Sequence, residues 1–78
     1  MRYIIFEDSA GRPMPVLFPN RIGHEEMRDQ MPYGVALSAG EVLHDGTGFV
    51  CTGQAKELGL SARQEDADIV SRFFAEKG

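Results

Sequence analysis

Short apolar runs separated by clusters of turn-forming residues make up most of the chain. Residues 2–6 are mostly β-branched or aromatic, and a Gly/Pro-containing cluster separates them from a second apolar run at residues 14–18. Two such runs around a turn predict an antiparallel β-hairpin. Because Pro15 has no N–H to donate to a ladder, the second strand is predicted to lie at an edge of the sheet.

A short helix is predicted to follow this hairpin. Gly23 can act as its N-cap, and Glu25 and Glu26 fall in the first turn, where the helix dipole favours acids. Pro32 disfavours the helical conformation at the residue before it, so the helix is limited to about two turns.

A second hairpin is predicted over residues 35–56. Residues 35–43 are largely apolar, and Gly40 is predicted to allow a β-bulge. The turn-forming tetrad at residues 45–48 leads into a strand of period two over residues 49–56. The positions predicted to face the core in this strand are Phe49, Cys51, Gly53 and Ala55.

The last third of the chain has the pattern of an amphipathic helix. Ser61 and Gln64 fit a capping box, which predicts that the helix begins there. Its apolar stripe, at the spacing of one helix face, consists of Ile69, Val70, Phe73 and Phe74. The element order is therefore ββαββα. The predicted fold is an α+β domain: a four-stranded, largely antiparallel sheet with the C-terminal helix packed on one face.

Length and charge narrow the class of protein. The chain has 78 residues, which predicts a single domain over residues 1–78. Its net charge is −4, and its eight Lys and Arg residues are spread along the chain without a basic run, which argues against a nucleic-acid-binding module. No apolar segment has the length of a signal peptide or a membrane span, so we expect a cytoplasmic protein without membrane contact.

Few residues suggest chemistry. Cys51 is the one candidate nucleophile, but its strand position predicts a quiet core residue. His24 and His44, with Glu25 or Asp45 beside them, lack the spacing of a metal site, and ordinary surface positions explain them better. No catalytic residue, metal or cofactor is predicted. An enzyme is not expected, because a chain this short has little room for both a core and an enclosed pocket of ~300 Å³.

Three apolar residues fall in predicted loops next to Pro or Gly. They are Phe18, Leu58 and Leu60. Two alternatives stay open for Leu58 and Leu60, which either close the core or form an exposed patch for a partner.

Several stretches resemble small proteins of unknown function encoded in bacteriophage and prophage regions of bacterial genomes. The stretches are Tyr3-Ile4-Ile5-Phe6-Glu7, Pro15-Val16-Leu17-Phe18-Pro19, Leu37-Ser38-Ala39-Gly40 and residues 58–67. In the last of them the family's Ser-Leu-Gly-Leu-x-Ser-Arg-Pro-Glu-Asp-Ala pattern is only approximated, by Ser61, Arg63 and Gln64. The resemblance implies a phage-associated protein that binds a host or viral macromolecule, and it implies no catalytic residue.

The function predicted from the sequence is that of a small non-enzymatic protein-interaction module, such as a phage accessory or host-modulating factor. The partner is predicted to be a protein that binds where the first hairpin meets the short helix. The residues predicted to bind it, by their resemblance to the Arg-and-aromatic composition of interface hot spots, are Phe18, Arg21, His24 and Arg28. A nucleic-acid-binding accessory protein is the alternative, favoured if folding gathers the arginines on one face.

Overall fold

The computed structural model describes residues 1–77 of the chain. In chain order the elements are β1 (Arg2–Glu7), β2 (Pro13–Phe18), α1 (His24–Gln30), β3 (Val35–His44), β4 (Phe49–Thr52), β5 (Gln54–Ala55), a single 3₁₀ turn (Lys56–Leu58), β6 (Leu60–Ser61) and α2 (Asp66–Lys77). Among these residues no helix has the length and apolar content needed to cross a bilayer.

Strands β1 to β4 form one antiparallel sheet in the order β2-β1-β3-β4, and α2 packs against it. The predicted α+β class, four-stranded antiparallel sheet and packed C-terminal helix are thereby confirmed. Strand β2 lies at an edge, as Pro15 predicted. The sequence did not predict the second, two-stranded sheet formed by β5 and β6.

Both faces of the sheet are buried, which explains why β1 is apolar almost throughout. Ile4 and Phe6 belong to one core cluster, and Tyr3 and Ile5 belong to a second cluster on the opposite face. Successive residues of a strand point to opposite faces, so a strand covered on both sides reads as a continuous apolar run.

The first face is covered by α1 and by the β5–β6 hairpin. Met27 and Met31 pack against the cluster from the α1 side, and Leu58 and Leu60 pack against it from the hairpin. Both leucines are half-buried, so they contribute to closing the core. The second face is covered by α2, where Val70 is fully buried.

The predicted strand 49–56 is wrong in its length. Pairing with β3 ends at Thr52, and Gly53 has a φ of +80°, a left-handed conformation that favours glycine. The chain turns there and continues as β5. Cys51 therefore faces the core as predicted, on the α2 side, but it is only partly buried, whereas Ala55 packs in the opposite cluster.

The predicted bulge at Gly40 is also misplaced. The register between β1 and β3 shifts where Ile5 opposes Ser38 and Phe6 opposes Ala36, which makes Leu37 the extra residue. Gly40 has a different role, because a Cβ at this position would lie 2.4 Å from the backbone oxygen of Thr52.

Candidate functional site

The residues predicted to bind a partner do not form one accessible surface. Phe18 and His24 are both buried, with their rings in an edge-to-face contact at a centroid distance of 5.4 Å. Nε2 of His24 donates to the backbone oxygen of Gly40 at 2.9 Å, and Nδ1 lies 3.4 Å from Oε1 of Glu57. His24 is thus held inside the domain, where the sequence analysis placed it at the surface.

A sequence signal for this burial exists. His24, Met27 and Met31 stand at positions i, i+3 and i+7, the spacing of one helix face, and both methionines pack on the core. The helical stripe therefore includes the histidine.

The two arginines of the predicted site are exposed. A guanidinium nitrogen of Arg28 lies 3.6 Å from Oδ1 of Asp29, and the first turn of α1 carries Glu25 and Glu26. The charge around the exposed arginines is therefore mixed, with no clustering of bases on α1. Binding of a partner at this position stays a prediction.

A buried carboxylate at the start of α2 is the densest polar feature of the structure. Asp66 is fully buried. Its Oδ2 accepts hydrogen bonds from the Tyr3 hydroxyl at 2.5 Å and from the backbone N–H of Arg63 at 2.9 Å. Its Oδ1 accepts from the Ser38 hydroxyl at 2.9 Å and from Nε of Arg63 at 3.0 Å. Four donors on one carboxylate tie α2 to β1 and β3.

This carboxylate changes the titration of its neighbours. Burial, and then the hydrogen bond and the charge of Asp66, raise the pKa of Tyr3 well above its usual value. Burial and then the negative charge of Asp66 also raise the pKa of the Cys51 thiol. Both groups are thus held in their protonated forms, which suits a structural hydrogen-bond network.

We expect Cys51 to react slowly with thiol reagents in the native protein. The thiolate is the reactive form, so a raised pKa lowers the reactive fraction at any pH below it. The rate of modification by a disulfide reagent should therefore be well below that of the urea-unfolded chain at pH 8. The rate of modification should continue to rise with pH above the range in which the rate for an ordinary thiol becomes constant. Rapid stoichiometric labelling of the folded protein at neutral pH would contradict this.

A cavity of the structure lies away from these groups. An open cavity of about 570 Å³ lies where the β1–β2 turn meets the segment between α1 and β3, and its lining includes Glu7, Asp8 and Tyr33. The carboxylate of Asp8 stabilises the β1–β2 turn, because its Oδ1 accepts hydrogen bonds from the backbone N–H groups of Ala10 and Arg12. Within the described residues no three His, Cys, Asp or Glu side chains are grouped so that they could hold a metal ion.

The outer end of the β3–β4 hairpin is the main apolar feature of the surface. Leu43 and Val50 oppose each other across the two strands, and their side chains are 65% and 42% exposed. On the other face of the hairpin, the ring of Phe74 is 6.0 Å from that of Phe49, and Phe74 is 39% exposed. Apolar groups are therefore accessible on both faces of this end of the sheet.

Strand β4 is also an edge strand whose outer side pairs with no other described strand. The turn is closed by a hydrogen bond from the N–H of Asp45 to the oxygen of Gly48. Since hydrogen-bonded and non-bonded pairs alternate from there, Val50 and Thr52 bond to β3. The N–H and C=O groups of Phe49 and Cys51 then point away from the sheet.

The two edges of the sheet differ in how well they are protected. Edge strand β2 contains Pro13 and Pro15, which block the addition of another strand. Edge strand β4 has the sequence Phe-Val-Cys-Thr, without charge, proline or bulge. No local pattern of the sequence indicates this site, because the edge position of β4 depends on the strand order.

Comparison of the chain with known protein families, with curated proteins and with solved structures finds no match.

Proposed function

We propose that the protein is a protein-interaction module that binds its partner by strand addition at β4. The observation that supports this is the unprotected edge of β4 beside the exposed side chains of Leu43 and Val50. An edge strand with free main-chain groups is a template for a further strand, and natural proteins usually block such edges.

The partner that fits this edge is an extended segment with small or β-branched apolar side chains. Its main chain would pair with the outward groups of Phe49 and Cys51 and supply affinity. Its side chains on one face would contact Val50 and Leu43, which supplies selectivity. Binding of nucleic acid has no comparable support. Strand β4 carries no Lys or Arg, and Arg28, the exposed arginine of α1, lies beside the carboxylate of Asp29.

The test is capture of partners from a lysate of cells that carry the gene, with edge variants of the tagged protein. Val50→Lys places a charge on the exposed side of β4, and we expect it to reduce the recovered partner at least tenfold. Val35→Lys is the matched control, because Val35 is also an exposed strand valine, 49% accessible, but it pairs with β1 on the far part of β3. It should leave capture unchanged.

The outcome decides between interaction surfaces. Equal capture by wild type and Val50→Lys would overturn strand addition at β4. Loss of capture with Arg21→Ala and Arg28→Ala, but not with Val50→Lys, would move the site to α1. Recovery of nuclease-sensitive material with a steep salt dependence would favour the nucleic-acid alternative.

A further inference from the structure

The geometry points to a second copy of this chain as the strand that adds to β4, in an antiparallel pair with a two-fold axis at Val50. This inference rests on the proposed function and names its partner. A two-fold interface places the same surface patch on both subunits, so the patch has to be complementary to itself.

The absence of charge makes this edge favourable for self-pairing. Each chain has a net charge of −4, so two copies repel each other overall, and an uncharged contact surface brings no acids together. The four residues of β4 carry no charge, and with the two-fold axis at Val50 they would face residues 48–51 of the second copy, which are also uncharged. Two copies can therefore meet here without opposing acids across the new ladder.

The register follows from the direction of the main-chain groups. Only Phe49 and Cys51 point their N–H and C=O groups outward, so these two residues must form the hydrogen-bonded pairs with the second copy. An antiparallel pair satisfies all of them when Phe49 faces Cys51 of the second copy. Val50 then faces Val50 of the second copy as a non-hydrogen-bonded pair, in which side chains are closest.

This register also places the exposed Val50 side chains of the two copies against each other. The two Val50 side chains meet on one face of the joined sheet, with Leu43 of each copy next to them on β3. On the other face, Phe49 and the neighbouring Phe74 approach the dyad from both copies. The same pairing thus accounts for the outward main-chain groups and for the exposure of Val50.

The test is disulfide trapping at the dyad in a Cys51→Ser background. In a non-hydrogen-bonded antiparallel pair the Cα atoms are about 4.5 Å apart, within the range that a disulfide spans. We expect Val50→Cys to form a covalent dimer as the major product under mild oxidation at micromolar concentration. Leu43→Cys is the matched control, because its side chain is more exposed and lies on the same face. In the proposed dimer the two residues at position 43 are about three strand spacings apart, roughly 14 Å. The Leu43→Cys variant should therefore form no covalent dimer.

Sedimentation equilibrium provides a measurement that does not depend on the cysteine variants. Wild type should sediment as a dimer, and Val50→Lys should sediment as a folded monomer with an unchanged circular dichroism spectrum. A monomeric wild type at about 100 µM, or equal trapping of Val50→Cys and Leu43→Cys, would overturn the inference. Strand addition at β4 would still stand if wild type captured a different protein from the lysate and Val50→Lys did not. Failure of the dimer inference can therefore be told apart from failure of the proposed function.

Discussion

Replacing Asp66 with alanine is expected to remove most of the stability of the domain. The substitution leaves the hydroxyls of Tyr3 and Ser38 and the Nε of Arg63 without their acceptor in the interior. Removal of one member of a buried ionic network typically costs about 3–5 kcal/mol. A domain of 78 residues has a total stability of about 4–12 kcal/mol, so this cost is a large part of the whole.

The matched control is Asp68→Ala, in the first turn of the same helix. Both variants lose an acid near the N-terminus of α2, but Asp68 is exposed and Asp66 is buried. We expect Asp68→Ala to cost no more than about 1 kcal/mol, the usual value of a helix-dipole interaction. Urea unfolding followed by circular dichroism measures both. If the two free energies of unfolding agree within 1 kcal/mol, the network around Asp66 does not stabilise the fold.

The role of Asp66 could not be predicted from the sequence, because its hydrogen-bond partners are distant along the chain. Tyr3 is 63 positions away and Ser38 is 28 positions away. The sequence pattern predicted a helix with Ser61 as its N-cap and Asp66 as one of the acids in its N-terminal half. In the structure Ser61 lies in β6 and the helix begins at Asp66, whose carboxylate accepts the N–H of Arg63.

Three elements defined by local signals were predicted well. The first hairpin, the two-turn helix after Gly23 and the turn at residues 45–48 follow from turn formers, capping and proline, and the structure contains all three. Strand order is a different kind of property. Pro15 indicated that β2 lies at an edge, but no residue of β4 indicates that β4 is the other edge, and the candidate site depends on that fact.

Gly40→Ala is expected to destabilise the domain through the addition of a single methyl group. The new Cβ would lie 2.4 Å from the backbone oxygen of Thr52, closer than real Cβ atoms approach, and 3.3 Å from its carbonyl carbon, which is a tight contact. The obstacle is backbone, which no change of rotamer can move away. The end of β4 must therefore shift relative to β3, and such overpacking costs about 1–3 kcal/mol.

Gly34→Ala separates this steric effect from the general effect of replacing glycine. Gly34 is exposed, has no positive φ, and a Cβ there meets nothing within 4 Å. Because alanine restricts the unfolded chain, Gly34→Ala should raise the free energy of unfolding, by about 0.4–1 kcal/mol. Gly40→Ala should lower it, so the two variants are expected to move the urea midpoint in opposite directions. If Gly40→Ala also raised the urea midpoint, the close approach at Gly40 would not constrain β4, because the two strands could adjust at Thr52 without cost.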